Sequence, residues 1–256
     1  MGPPDQSGKT GRIMGDEPEQ ARATATTPAD RASRPRARLE EGGEPPGDAV
    51  SARFTSQFAP AYLTLASIIQ GVALSALALR VEATYVGFDA AAWLLTLATF
   101  LIFLIVWHEY VLQVLAFVWL PTMLDTVVPF AFLAAELLLA YCIYRDLRLW
   151  LLALGLVGVA GMAAALVSAL QTRAFPENRA IVRALAPHHR VHWAINGAIV
   201  ALSLGAWALY DALRLGQAQL GVALVAVAGA LAWIGGVVPY GKHLRPYARG
   251  DRRADP

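Results

Sequence analysis

Cysteine is almost missing from this chain: Cys142 is the single one in 256 residues. That excludes an intramolecular disulfide and any metal site built from several cysteines. Lysine is nearly as scarce, with only Lys9 and Lys242, so arginine carries most of the basic charge. Charged residues of both signs make up 16% of the chain, where a soluble domain carries about 25%. The common catalytic signatures are also missing. His108 and Glu109 are followed by Tyr-Val-Leu and not by the second histidine of an HExxH zinc helix. No nucleophile elbow, Walker A loop or dinucleotide-binding glycine pattern occurs with the flanks it needs. No cofactor, resident metal or nucleic-acid partner is expected.

What the chain has instead is apolar length. Hydrophobic residues make up 57% of it and the mean hydropathy is +0.47. Six stretches approach the ~20 residues that a ~30 Å hydrocarbon layer requires. They lie at 59–79, from Ala90 onward, up to Tyr144, and at 149–170, 191–210 and 220–240. The expected fold is therefore all-α, a polytopic membrane protein with a six-helix transmembrane bundle over 56–243, bounded by cytoplasmic tails at 1–55 and 244–256. The first tail is rich in Gly, Pro, Ala, Thr, Arg and Glu and lacks apolar periodicity. It reads as a disordered spacer, and with no apolar stretch near Met1 it does not read as a cleavable signal peptide. No internal repeat and no matched pair of broken helices marks the chain as an inverted-repeat transporter.

Arginine placement orients the bundle. Arg173, Arg179, Arg183 and Arg190 crowd one connection, and Lys242, Arg245, Arg249, Arg252 and Arg253 follow the last span. The opposite connections hold only Arg80, then Arg145 and Arg148, then Arg214. By the positive-inside rule both termini face the cytoplasm of a cell-membrane protein. The lipid bilayer is the expected partner, and the basic C-terminal cluster also suits anionic headgroups.

Polar residues inside apolar runs are costly and mark where function would sit. Glu136 falls near the middle of the third span and Asp125 at its start, eleven residues earlier. At ~3.6 residues per turn both lie on one face, with Pro129 between them. His108 and Glu109 admit two placements. In the favoured one the second span ends near Glu109 and residues 110–124 form an interfacial or re-entrant piece. In the other a single helix runs to Trp119 and turns at Pro121, but ~30 residues make a helix of ~45 Å, longer than the layer.

Other spans offer partners. The first carries Thr64, Ser67, Gly71 and Ser75 at helical spacing, with Gln70 nearby. The fourth carries Gly155, Gly158 and Gly161, followed by Ala164, Ala165 and Ser168, a surface suited to close helix contact. The fifth carries His192, Asn196, Ser203 and Tyr210 on one stripe. These stripes are expected to be packing faces whose hydroxyls and amides bond across helices. His188 and His192 are four apart, but Pro187, His189 and Arg190 crowd them at an expected helix start, which suits interfacial or capping roles better than a metal. Tyr110, Trp119, Tyr141, Tyr144, Trp150 and Tyr210 fall near span ends, as in an aromatic belt.

Three function classes follow. The leading one is passage of a small solute or ion, with proton coupling through Glu136, because hydrocarbon disfavours the charged form of a carboxyl. The second is a non-catalytic membrane scaffold or assembly factor in which Glu136 bonds to a neighbouring helix through Asn196 or Thr64. The third is a small membrane enzyme at the cytoplasmic face using Asp125, Glu109 and the histidines near His192.

Overall fold

The structure is a computed structural model that describes residues 46–118, 122–173 and 175–237, except for the side chains at 46–56, 177, 187, 188 and 237. Residues 1–45 of the expected first tail, the expected tail at 244–256, the side chain of His188, and Trp119 and Pro121 of the expected turn lie outside that description, whereas residues 46–55, expected within the disordered tail, are helical and continuous with the first span.

The six apolar runs are helices: α1 Pro46–Thr84, α2 Ala90–Ala116, α3 Met123–Cys142, α4 Leu147–Thr172, α5 Arg179–Ala208 and α6 Gln219–Val237. Each has a segment long and apolar enough to cross a membrane, and among the described residues there is no strand. The protein is a multi-pass membrane-helix bundle.

Short polar side chains set the helix starts. Asp89 accepts a hydrogen bond from the Ala92 N–H at 2.8 Å, and Asp146 accepts one from the Leu149 N–H at 3.0 Å. Each satisfies a backbone donor that the first turn of a helix leaves without a partner. Between α3 and α4 the chain reverses through Tyr144 at φ 59°, and the Tyr144 ring packs on Phe88. Gly87 lies under that ring, where a Cβ would sit 2.5 Å from the tyrosine hydroxyl, so any larger residue there would displace the Tyr144 ring. The Arg80 guanidinium donates twice to the Ile143 carbonyl, at 3.1 and 2.8 Å, tying the end of α1 to the end of α3.

Helix order in space differs from order in sequence. The principal contacts run α5 on α4, α4 on α3, α3 on α1, α1 on α2 and α2 on α6. The bundle is thus an arc with α5 and α6 at its ends. Within the arc α1, α2 and α4 bury Ala73, Ala98 and Ala153 fully, and α6 buries Ala223, and small residues let helix backbones approach. Trp150 is also fully buried and donates its indole N–H to Thr99 Oγ1 at 3.1 Å. Far fewer residues of α5 and α6 are buried.

Four expectations change. α2 does not end near Glu109 but continues to Ala116, and at 27 residues it is about 40 Å long. The inward stripe Phe103, Val106, Tyr110 and Val114 explains this, since stopping at Glu109 would leave Tyr110 and Val114 without their buried sites. A tilted helix accommodates the extra length. α5 starts at Arg179 and not at Pro187, because the turn before Pro187 buries Leu185 beside Trp233 of α6. The α1 stripe of Thr64, Ser67, Gly71 and Ser75 is exposed, and Thr64 and Ser75 bond back to the Pro60 and Gly71 carbonyls of their own helix. The inward face of α1 is Tyr62, Ala66, Ile69, Gln70, Ala73 and Leu77. Tyr110 and Trp150 are core residues and not part of an aromatic belt. By contrast, the small-residue face of α4 does pack on a helix: Gly155 and Gly158 lie against Leu204 and Val200 of α5.

Candidate functional site

Two polar clusters lie inside the bundle. The first joins α1, α2 and α3 near mid-bundle. Gln70 Nε2 donates to the Phe103 carbonyl at 2.8 Å and to Glu136 Oε1 at 2.9 Å. Glu136 is fully buried and lines neither of the two cavities described below. Its expected partners were Asn196 or Thr64; the partner is Gln70, because α1 turns its glutamine, and not its hydroxyl stripe, toward α3. Among the described residues, neither Glu136 Oε2 nor Gln70 Oε1 has a hydrogen-bond partner.

The second cluster faces a cavity of about 410 Å³ between α2, α4, α5 and α6. Its walls are mostly apolar, including Gly158, Gly161, Ala164 and Ala165 of α4. Its polar groups gather toward one end, where α2, α4 and α6 finish and α5 begins. There Glu109 and Gln113, four residues apart on one face of α2, meet His189, His192 and Asn196 of α5. Glu109 Oε2 lies 3.7 Å from His192 Nδ1, beyond direct hydrogen-bond range, and both side chains are largely buried. The His192 ring packs against Trp233 of α6, with ring centres 4.7 Å apart. Gln113 accepts a hydrogen bond from Ser168 at 3.0 Å, which holds its amide between α2 and α4.

The remaining expected residues separate from both clusters. His108 is exposed on the outside of α2. Asp125 is buried, but it serves the start of α3: Oδ2 accepts from the Thr122 N–H at 2.6 Å, from Thr122 Oγ1 at 2.8 Å and from Gln171 Nε2 at 2.9 Å. This is the reach-back contact of a capping box. Asp125 shares a helix face with Glu136, yet the two hold different partners. A void of about 10 Å³ beside Asp125, Tyr62, Tyr110 and Gln113 is no larger than a water molecule needs. Among the described residues no group of three or more metal-ligating side chains gathers.

Sequence reasoning missed Gln113, His189 and Trp233 at the cavity. Gln113 was legible as the residue one turn after Glu109; the other two needed the helix order. It also missed Asn178, which is nearly inaccessible and binds both backbone groups of Val118, the N–H at 2.9 Å and the carbonyl at 2.7 Å. That pairing fixes where the chain leaves α2 against the α4–α5 connection. No protein-family model, no curated protein and no solved structure matches this chain.

Proposed function

We propose that this membrane protein binds a small, mainly apolar solute in the cavity between α2, α4, α5 and α6 and passes it through the bundle. The observation that carries the reading is the cavity itself. At about 410 Å³ it falls within the ~300–1,000 Å³ of small-molecule sites, with apolar walls and a few polar groups converging at one end. Glu109 and His192 are the residues assigned to hold the solute's polar atoms, with Gln113 and Asn196 beside them.

In this reading Glu136 is a structural residue and carries no proton along the path, because it is sealed and bonded to Gln70. The same bond is what supports the scaffold reading, but a scaffold gives no reason for the cavity. The enzyme reading required Asp125 beside Glu109 and His192, and Asp125 is engaged at the start of α3.

The test is photolabelling in lipid nanodiscs with a diazirine-bearing hydrocarbon. Saturable labelling of cavity residues is expected. Gly229 lines the cavity and has nothing within 4 Å of the place where a Cβ would go, so a side chain can start there and Gly229→Phe is the variant chosen to occupy the space. That variant is expected to fold and to lose the labelling. Labelling that never saturates, or that Gly229→Phe leaves intact, refutes the reading.

A further inference from the structure

α5 begins well before its apolar span. The helix starts at Arg179, whereas the stretch apolar enough to cross a membrane starts at His189. At ~1.5 Å per residue Arg179 lies ~15 Å and Arg183 ~9 Å ahead of that start, and Arg190 lies at it. The extension is held on one side, where Ile181 and Leu185 pack with Trp233 of α6 and with Leu112 and Phe117 of α2. At ~100° per residue, Arg179, Arg183 and Arg190 fall within ~40° of one another on the opposite side of the helix, and all three are exposed. Arg183 Nε donates back to the Arg179 carbonyl at 3.4 Å, which keeps that side chain along the stripe.

The stripe does nothing for the helix that carries it. Like charges one turn apart repel, and positive charge in the first turns opposes the helix dipole. Over residues 173–190 the sequence sets four arginines against a single acid, Glu177. The positive-inside rule accounts for arginines in a connection, but it does not require them to share a face. The face they share is the one that continues into the span. Ala194 and Ala201, four and eleven residues after Arg190, extend the same stripe and are exposed among the described residues. A guanidinium offers phosphate two parallel N–H donors, and here it stands at the polar boundary with apolar helix surface in line beyond it. A phosphate head with acyl chains behind it matches both parts.

We infer that Arg179, Arg183 and Arg190 form a docking surface for an anionic phospholipid, whose phosphodiester lies at Arg190 and whose acyl chains run along Ala194 and Ala201. Arg183 and Arg179 act from farther out, where attraction to an anionic headgroup still reaches within a Debye length. This surface is on the outside of α5 and is independent of the cavity.

Native mass spectrometry of the full chain released from detergent micelles tests it, with dioleoyl phosphatidylglycerol and dioleoyl phosphatidylcholine as probes. The first phosphatidylglycerol is expected to be retained at no more than one-fifth of the added concentration that phosphatidylcholine needs. Arg183→Gln and Arg190→Gln are each expected to weaken that retention about fivefold, the factor that ~1 kcal/mol per basic residue at an anionic surface corresponds to, and to leave phosphatidylcholine unchanged. Arg190→Lys, which keeps the charge, is expected to stay within about threefold of wild type. Arg214→Gln removes an exposed arginine from the connection between α5 and α6 and is expected to change nothing. Melting temperatures of all four variants are expected to match wild type in lipid-free micelles, so any loss of retention is a loss of binding. Equal retention of the two lipids, full retention in the Arg183→Gln and Arg190→Gln variants, or an equal loss in Arg214→Gln overturns the proposal. Displacement of phosphatidylglycerol by equimolar glycerol phosphate, which has the head without the chains, overturns the assignment to a lipid.

Discussion

Replacing Glu136 by leucine removes one side of the bond that joins α1, α2 and α3. Leucine fills nearly the same space, so the change isolates the polar term. Gln70 keeps its bond to the Phe103 carbonyl at 2.8 Å but loses the one to Glu136 at 2.9 Å. Its Oε1, already without a partner among the described residues, then has no donor within the pair at all. A buried polar group left unsatisfied costs about 1–3 kcal/mol, and hydrogen bonds between membrane helices average ~0.6 kcal/mol with a maximum near 1.7. Together these put the loss for Glu136→Leu at about 2 kcal/mol. Glu136→Gln keeps a carbonyl oxygen that can accept from Gln70 Nε2, so its loss is expected to stay under about 0.5 kcal/mol. Gln70→Leu should cost at least as much as Glu136→Leu, because it strands a carboxyl, and the double leucine variant should cost less than the sum of the two. Equilibrium unfolding in mixed detergent micelles measures all four. A Glu136→Leu protein of unchanged stability, or a Glu136→Gln protein as weakened as Glu136→Leu, refutes the paired assignment.

Three other expectations can be checked on the same protein. Asn178→Leu removes bonds to the Val118 N–H, the Val118 carbonyl and the Thr172 carbonyl, so a loss of about 2–3 kcal/mol and faster protease cleavage after α2 are expected; wild-type cleavage rates would contradict it. Gly158→Leu places a Cβ 2.8 Å from Val200 Cγ2 and should cost about 1–3 kcal/mol by pushing α5 off α4, whereas Gly71→Leu, with nothing within 4 Å, should stay within about 0.5 kcal/mol. Equal melting of the two variants would show that the α4 glycines are not a packing surface. Reporter fusions at Gly47 and Pro256 are expected to read cytoplasmic at both ends, given the arginine-rich connection between α4 and α5 and the basic C-terminal residues; an external signal from either would reverse the orientation.

The spans were legible because a membrane helix satisfies its backbone internally and must be apolar for ~20 residues, properties that a sequence carries locally. The caps at Asp89 and Asp146 were not read from the sequence, although each acts only on the next turn of its own helix. The shared face of Asp125, Pro129 and Glu136 follows from the period of one helix. Other features depended on which helices become neighbours. The end of α2 depended on Tyr110 and Val114 finding buried sites, and the role of Asp125 on Thr122 and Gln171. Gln70 rather than Asn196 met Glu136 because α1 packs between α2 and α3, while α5 stands at the far end of the arc. The same order places Glu109 opposite His192 and opens a cavity between α5 and α6, which are adjacent in sequence but held by other helices. Apolar surface in lipid does not by itself distinguish one helix neighbour from another, so periodicity left the order open. Close packing of small residues and a few buried hydrogen bonds decided it, and those exist only once the helices have met.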